Sequence, residues 1–201
     1  YALQSNTTGN ANSALGSSAL QANTTGAWNA AEGAYALQSN TTGNANSALG
    51  SSALQDNTTG FENNALGFTA LQDNTTGFSN SALGYAALSY NKTGSYNVAI
   101  GNNALVSLSS GDNNTAVGTD AGYNDTNGYF STLDGLQNAT AIGAYAQVQA
   151  SNAIVLGSVD NATTVGIGIT VPSNTFSVSP VDLNSSTITA SQSSGSALIT
   201  A

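Results

Sequence analysis

A seventeen-residue repeat, running through roughly the first 130 residues, constrains the fold of this chain more than any other feature. Its clearest copy is the stretch 12–26, NSALGSSALQANTTG. A fixed period this short is typical of one supersecondary unit stacked along an axis. Three sets of residues keep the spacing without drift: Asn12, Asn29, Asn46, Asn63, Asn80, Asn97 and Asn114; Asn6, Asn23, Asn40, Asn57, Asn74 and Asn91; Gly9, Gly26, Gly43, Gly60, Gly77, Gly94, Gly111 and Gly128.

Each repeat is too short to hold a helix and its return, so we predict an all-β parallel β-solenoid with one repeat per rung. Two short apolar segments, Asn-x-Ala-Leu-Gly and x-Ala-Leu-x, are predicted to be strands, and Asn-Thr-Thr-Gly to be a corner. Ala and Leu favour helix, but the recurring glycines would cost a helix about 1 kcal/mol each and the period is not helical.

Equivalent residues of successive rungs form columns about 4.8 Å apart along the axis. Neighbours along a strand point to opposite faces, so adjacent Ala and Leu columns make both faces of each strand apolar. A thin roll covers only one of these faces, so we expect a second chain to cover the other, with a homotrimer as the natural closed assembly. The two leucine-rich columns are Leu15, Leu49, Leu66, Leu83, Ile100 and Val117, and Leu3, Leu20, Leu37, Leu54, Leu71, Leu88 and Leu105.

The composition argues against several classes of function. Only 5% of the residues are charged, the net charge is −9, and Lys92 is the only base, so a nucleic-acid interface is not expected. Cys, His and Met are absent, which removes the usual metal ligands and catalytic bases. We therefore predict no enzyme activity, no cofactor and no metal. No apolar run of about eighteen residues occurs, so no membrane insertion is expected.

The set Asn12 to Asn114 is predicted to form an amide ladder parallel to the axis. Glu32 occupies a leucine position and Asp134 is assigned to the same column, so that face is expected to be partly uncovered or distorted there. Trp28 also marks the second rung as irregular.

After Gly128 the period fails and then resumes at fourteen residues, in Asn138-Ala-Thr-Ala-Ile-Gly143 and Asn152-Ala-Ile-Val-Leu-Gly157. These segments resemble the repeats of trimeric autotransporter adhesin heads (YadA-like), and the Asn-Thr-Thr-Gly repeats are similar to those of phage tail fibres. The segment 165–172 resembles the closing segment of such arrays. The resemblance covers about residues 1–170 and implies a left-handed β-roll in a homotrimer, with an adhesive or spacer role and no catalytic residues. The adhesin membrane anchor and a tail-fibre chaperone domain have no counterpart in this sequence.

Three regions are predicted: the seventeen-residue β-roll at 1–128, irregular and fourteen-residue rungs with a closing segment at 129–171, and a Ser/Thr-rich tail or linker at 172–201. Tyr1–Gln21 repeats as Tyr35–Gln55, so the chain is expected to be a fragment or a processed form. We predict an extracellular fibre, on a cell surface or a virion, whose partners are further copies of itself and glycans or a host surface.

Two alternative functions stay open. Asp56 and Asp73 share a column, so their carboxylates are placed about 5 Å apart, as in a Ca²⁺ site or the acid–base pair of a carbohydrate-active tailspike. Glu62 has no carboxylate neighbour in its column, and no calcium-binding repeat is present. The second alternative is a solenoid that binds ice or a glycan. The column Thr7, Thr24, Thr41, Thr58 and Thr75 suggests the ice binder, although a flat double column of threonines is not present.

Asn-x-Ser/Thr sequons, the acceptor signal for N-glycosylation, recur at the corners and are predicted to be exposed. Glycans there would keep a fibre with few charges soluble. The alternative is that Asn and Thr serve only as turn formers. The candidate acceptors are Asn6, Asn23, Asn40, Asn57, Asn74, Asn91, Asn113, Asn124, Asn138, Asn161 and Asn184.

Overall fold

The computed structural model describes residues 1–122 and 135–158. These residues form a parallel β-solenoid, which confirms the predicted fold class, and no helix occurs among them. Nine three-residue strands form one parallel sheet in chain order. The strands are β1 (Ser13–Leu15), β2 (Ala30–Glu32), β3 (Ser47–Leu49), β4 (Asn64–Leu66), β5 (Ser81–Leu83), β6 (Val98–Ile100), β7 (Thr115–Val117), β8 (Thr140–Ile142) and β9 (Ile154–Leu156).

The sheet register follows the sequence period through β7 and then changes. Thr115 pairs with Thr140, and Thr140 pairs with Ile154. The neighbour of Val117 in its column is therefore Ile142. The sequence period failed here because the rung after β7 is longer than seventeen residues. Asp134 itself, the segment 165–172 and the tail 172–201 lie outside the described residues.

From β2 to β8 each strand turns its central alanine inward, and the third residue, a leucine in β3, β4 and β5, points outward. Ala48 is 3% exposed, whereas the next residue, Leu49, is 46% exposed. The prediction of two differently directed apolar columns is therefore confirmed for the strand segment. Because alanine is small, the sheet packs closely against the opposite wall of the rung.

The second apolar segment is not a strand, contrary to the sequence prediction. Leu54 has a left-handed backbone with φ of 51°, and the segment is a turn. Ala53 and Leu54 consequently both point into the core, at 0% exposure. Left-handed backbone costs a leucine about 1 kcal/mol, but full burial of its side chain returns about 1.5–3 kcal/mol. Of the two apolar segments in each repeat, only the strand segment therefore has an apolar face that its own chain leaves uncovered.

Backbone hydrogen bonds continue along the axis outside the strands. Leu54 N–H donates to the carbonyl of Ala70 in the following rung at 3.0 Å, and Ser52 N–H donates to Ala34 in the preceding rung at 2.9 Å. Each rung is thus bonded to both neighbours even where it turns, which satisfies the backbone groups that the corners bury.

Candidate functional site

The outward strand face carries a continuous apolar surface that we call the leucine stripe. Its members are 40–66% exposed, except the half-buried Val117, and Glu32 interrupts it near one end. Small or polar residues such as Ser47, Asn64 and Ser81 lie beside it in the same strands. A groove of about 440 Å³ runs along its centre. The stripe consists of Leu15, Leu49, Leu66, Leu83, Ile100, Val117, Ile142 and Leu156.

An exposed apolar stripe of this kind is what the sequence predicted to need a covering chain. Contiguous exposed apolar side chains are unusual on soluble proteins unless they form an interface. The strands present their leucines in one register, with no ionised group in the stripe from Leu49 to Leu156. The arrangement is suited to burying apolar area against another surface.

The corner asparagines of the sequons are buried, so their predicted exposure is wrong. Asn57 is 0% exposed, and its Nδ2 donates to Asn40 Oδ1 at 2.8 Å and to the Gly60 carbonyl at 3.0 Å. A glycan on that nitrogen would replace one of its two hydrogens, so one of the two bonds would be lost, and the sugar would have no space at this buried position. Turn chemistry explains the error: the amide side chain closes its own corner from the inside instead of pointing to solvent. The same burial holds for Asn23, Asn40, Asn57, Asn74 and Asn91.

The other described sequon asparagines differ from this group. Asn6, Asn113 and Asn138 are exposed. Asn6 still donates to Gly9, and Asn138 donates to Asn152 Oδ1 at 2.9 Å. Asn124, Asn161 and Asn184 lie outside the described residues. Asn113 and Asn138 lie two residues before β7 and β8, at a different place in the rung from the buried corner asparagines, so accessibility depends on the position of the acceptor within its rung.

Asp56 and Asp73 lie close enough to interact, as their shared column predicts. Partial burial, followed by the neighbouring Asp56 charge, raises the pKa of Asp73, while Lys92 acts in the opposite direction. No group of three or more Asp, Glu, His or Cys side chains suited to a metal occurs in residues 1–122 and 135–158. The two carboxylates repel each other and have no third ligand there.

Asp73→Asn is expected to raise the melting temperature near neutral pH. Because the folded pKa is raised, the folded state holds its proton more tightly than the unfolded chain, and stability falls as pH rises from the unfolded pKa through the folded one. The gain should therefore vanish below about pH 3, where both states are protonated. Thermal unfolding of both proteins across pH measures this, and a gain that persists at low pH would contradict it. Thr76→Asn, at an exposed position three residues further along the chain, serves as a control for the introduced amide.

The threonine hydroxyls of this column donate hydrogen bonds to backbone carbonyls of the following rung. Thr41 Oγ1 bonds to the Thr58 carbonyl at 3.0 Å, and Thr58 Oγ1 bonds to the Thr75 carbonyl at 3.0 Å. Hydroxyl groups whose protons are used in this way have reduced capacity to order ice. This geometry gives the ice-binding alternative no support.

Sequence reasoning missed a cluster of aromatic residues in the middle rungs. Phe61 and Phe78 stack with centroids 4.7 Å apart, Tyr96 meets Phe78 edge-on at 5.0 Å, and Phe68 stacks with Tyr85 at 5.5 Å. The sequence does contain a sign of these contacts, because aromatic residues replace small ones at neighbouring repeat positions. Stacking adds roughly 0.5–1.5 kcal/mol per pair.

No helix in the described ranges is long and apolar enough to cross a membrane. Comparisons with protein-family models, curated proteins and solved structures gave no match for this chain.

Proposed function

We propose that this chain is a segment of an extracellular structural or adhesive fibre, on a cell surface or a virion, that self-associates through the leucine stripe. The observation that carries the proposal is the stripe itself, with Leu49, Leu66 and Leu83 each 43–46% exposed in one register. Each leucine moved out of water contributes roughly 1–2 kcal/mol, and the stripe repeats this at nearly every rung.

A second copy is the occupant that best fits this surface. The stripe is nearly free of charge, so two copies meet without unpaired ions, and small neighbours such as Ser47 and Ser81 allow close approach of strands. In a closed symmetric assembly every copy has its leucine stripe covered in the same way, and the resemblance to trimeric adhesin heads favours three copies. The neutral polar remainder of the surface suits an external fibre, and an adhesive role follows from the same resemblance.

Leu83→Asp is expected to convert the assembly to monomer at micromolar concentration, because it places a charge in the centre of the covered stripe. The side chain is 45% exposed within one chain, so the rung itself should remain folded. Analytical ultracentrifugation gives the mass, and far-UV circular dichroism checks the fold.

Thr76→Asp is the matched control, since it adds the same charge at an exposed corner and should leave the assembly intact. Glu32→Leu completes the stripe and should tighten association. A wild-type chain that sediments as a folded monomer would overturn the proposal, as would a Leu83→Asp protein that stays trimeric.

A further inference from the structure

A second surface feature is a cleft of about 300 Å³ beside the turn segment that follows β5. Its floor is formed by Ala86 and Ser89, which are 8% and 6% exposed. Tyr85 and Tyr90 flank that floor in the chain and line the cleft, at 53% and 42% exposure. This volume is at the lower end of the range for small-molecule sites, so it suits one or two sugar-sized rings.

The cleft exists because one rung departs from the repeat. Gln4, Gln21, Gln38 and Gln55 form a side-chain ladder with amide contacts of 3.1–3.4 Å. Gln72 continues the column, but Ser89 follows in place of a glutamine. The shorter side chain opens a space between Gln72 in the preceding rung and Val106 in the following rung, both of which line the cleft.

Polar groups converge on this space. Within the described residues, neither the Gln72 carboxamide nor the Ser89 hydroxyl makes a hydrogen bond. Asn103 uses its Nδ2 to bond Asp120 Oδ1 at 3.0 Å, which leaves its own carbonyl oxygen as an acceptor toward the cleft. Donors and acceptors without a net charge therefore lie beside exposed aromatic rings.

We propose that this cleft binds a neutral saccharide. A sugar ring presents an apolar C–H face that packs on an aromatic ring, and hydroxyl groups that need both donors and acceptors. Anionic ligands fit poorly, because Asp73 precedes Tyr90 in its column and Lys92 is the only base in the chain. The cleft shares no residue with the central groove of the leucine stripe, so binding does not depend on self-association.

The test uses the purified chain and ligand-observed NMR with methyl glucoside, methyl galactoside, N-acetylglucosamine and their disaccharides. At least one should bind with Kd on the order of 1 mM or below, the range for so small a ligand. N-acetylneuraminic acid should bind at least about ten-fold more weakly, because its carboxylate meets Asp73.

Ser89→Gln restores the repeat residue and fills the cleft, and it should weaken sugar binding at least about ten-fold without lowering the melting temperature. Tyr85→Ala should also weaken sugar binding, although it removes the stacking on Phe68, whereas Tyr145→Ala, at a site of 52% exposure away from the cleft, should leave binding unchanged. Leu83→Asp should retain binding, which separates this proposal from the fibre proposal. No binding of any neutral sugar at about 50 mM, or equal binding by Ser89→Gln, would overturn it. Tighter binding of adenosine than of every sugar would also overturn it.

Discussion

Asn63→Asp is expected to lower the free energy of unfolding by about 3–5 kcal/mol at neutral pH. Asn63 is 0% exposed, and its Nδ2 donates to Asn46 Oδ1 at 3.2 Å and to the Gly77 carbonyl at 2.8 Å. An aspartate of the same shape puts a carboxylate oxygen opposite two carbonyl oxygens. Both donor bonds are lost, and a negative charge is buried without a partner.

The Asn63→Asp variant retains the hydrogen bonds that position 63 accepts. The effect is therefore specific to the hydrogen bonds that Asn63 donates. Asn80 donates to Asn63 Oδ1 both from its backbone N–H, at 3.0 Å, and from Nδ2, at 3.1 Å. A carboxylate still accepts those bonds. Protonation would restore one donor, so the loss should become smaller at acidic pH, and denaturant unfolding at two pH values measures both quantities.

Asn44→Asp is the matched control for this experiment. The Asn44 side chain is exposed and acts as an acceptor, taking a hydrogen bond from Ala27 N–H at 2.8 Å. Aspartate preserves that role and remains hydrated, so stability should change by less than about 0.5 kcal/mol. Equal losses at the two positions would show that charge alone, and not the ladder, determines the result.

The sequence was sufficient to predict the stacking direction and the ladder of which Asn63 is a part. A strict period places identical side chains over one another, and an amide is both donor and acceptor, so Asn over Asn predicts its own hydrogen bonds. The apolar outward face of β3 to β5 also followed from strand alternation. These features depend only on the repeat and on local geometry.

Other features could not be read from the pattern. Alternation assumes an extended backbone, and Leu54, at φ of 51°, breaks that assumption, so the second segment was wrongly predicted to be a strand. The exposed corner was wrong because Asn57 satisfies its amide inside the turn. The cleft at Ser89 was not predicted, because it depends on one rung having a serine where the preceding rungs have a glutamine. The sequon asparagines from Asn6 to Asn91 form a second amide ladder, which ends where Leu108 takes the asparagine position, and in the described residues Asn91 Oδ1 is buried without a hydrogen bond.

Gly67→Ala is expected to destabilise the fold at least as much as Asn63→Asp does. The free energy of unfolding should fall by about 4 kcal/mol or more, and the rungs of Gly67 and Gly84 should separate. Gly67 has φ of +144°, a conformation that side chains rarely adopt. A Cβ at this position would lie 2.2 Å from the Gly84 carbonyl oxygen of the next rung. That oxygen belongs to the backbone, so the clash cannot be relieved by a rotamer change.

The only relief is to move the rung of Gly84 away from that of Gly67, which strains the hydrogen bond from Gly84 N–H to the Leu66 carbonyl at 2.9 Å. Gly135→Ala is the control, because its φ is also positive, at +76°, but an added Cβ meets nothing within 4 Å. That variant should lose only the conformational cost, about 1 kcal/mol. Hydrogen exchange should show the Gly67→Ala defect first in β4 and β5. Equal destabilisation by the two variants would mean that φ, and not contact between rungs, is the reason for the glycine column.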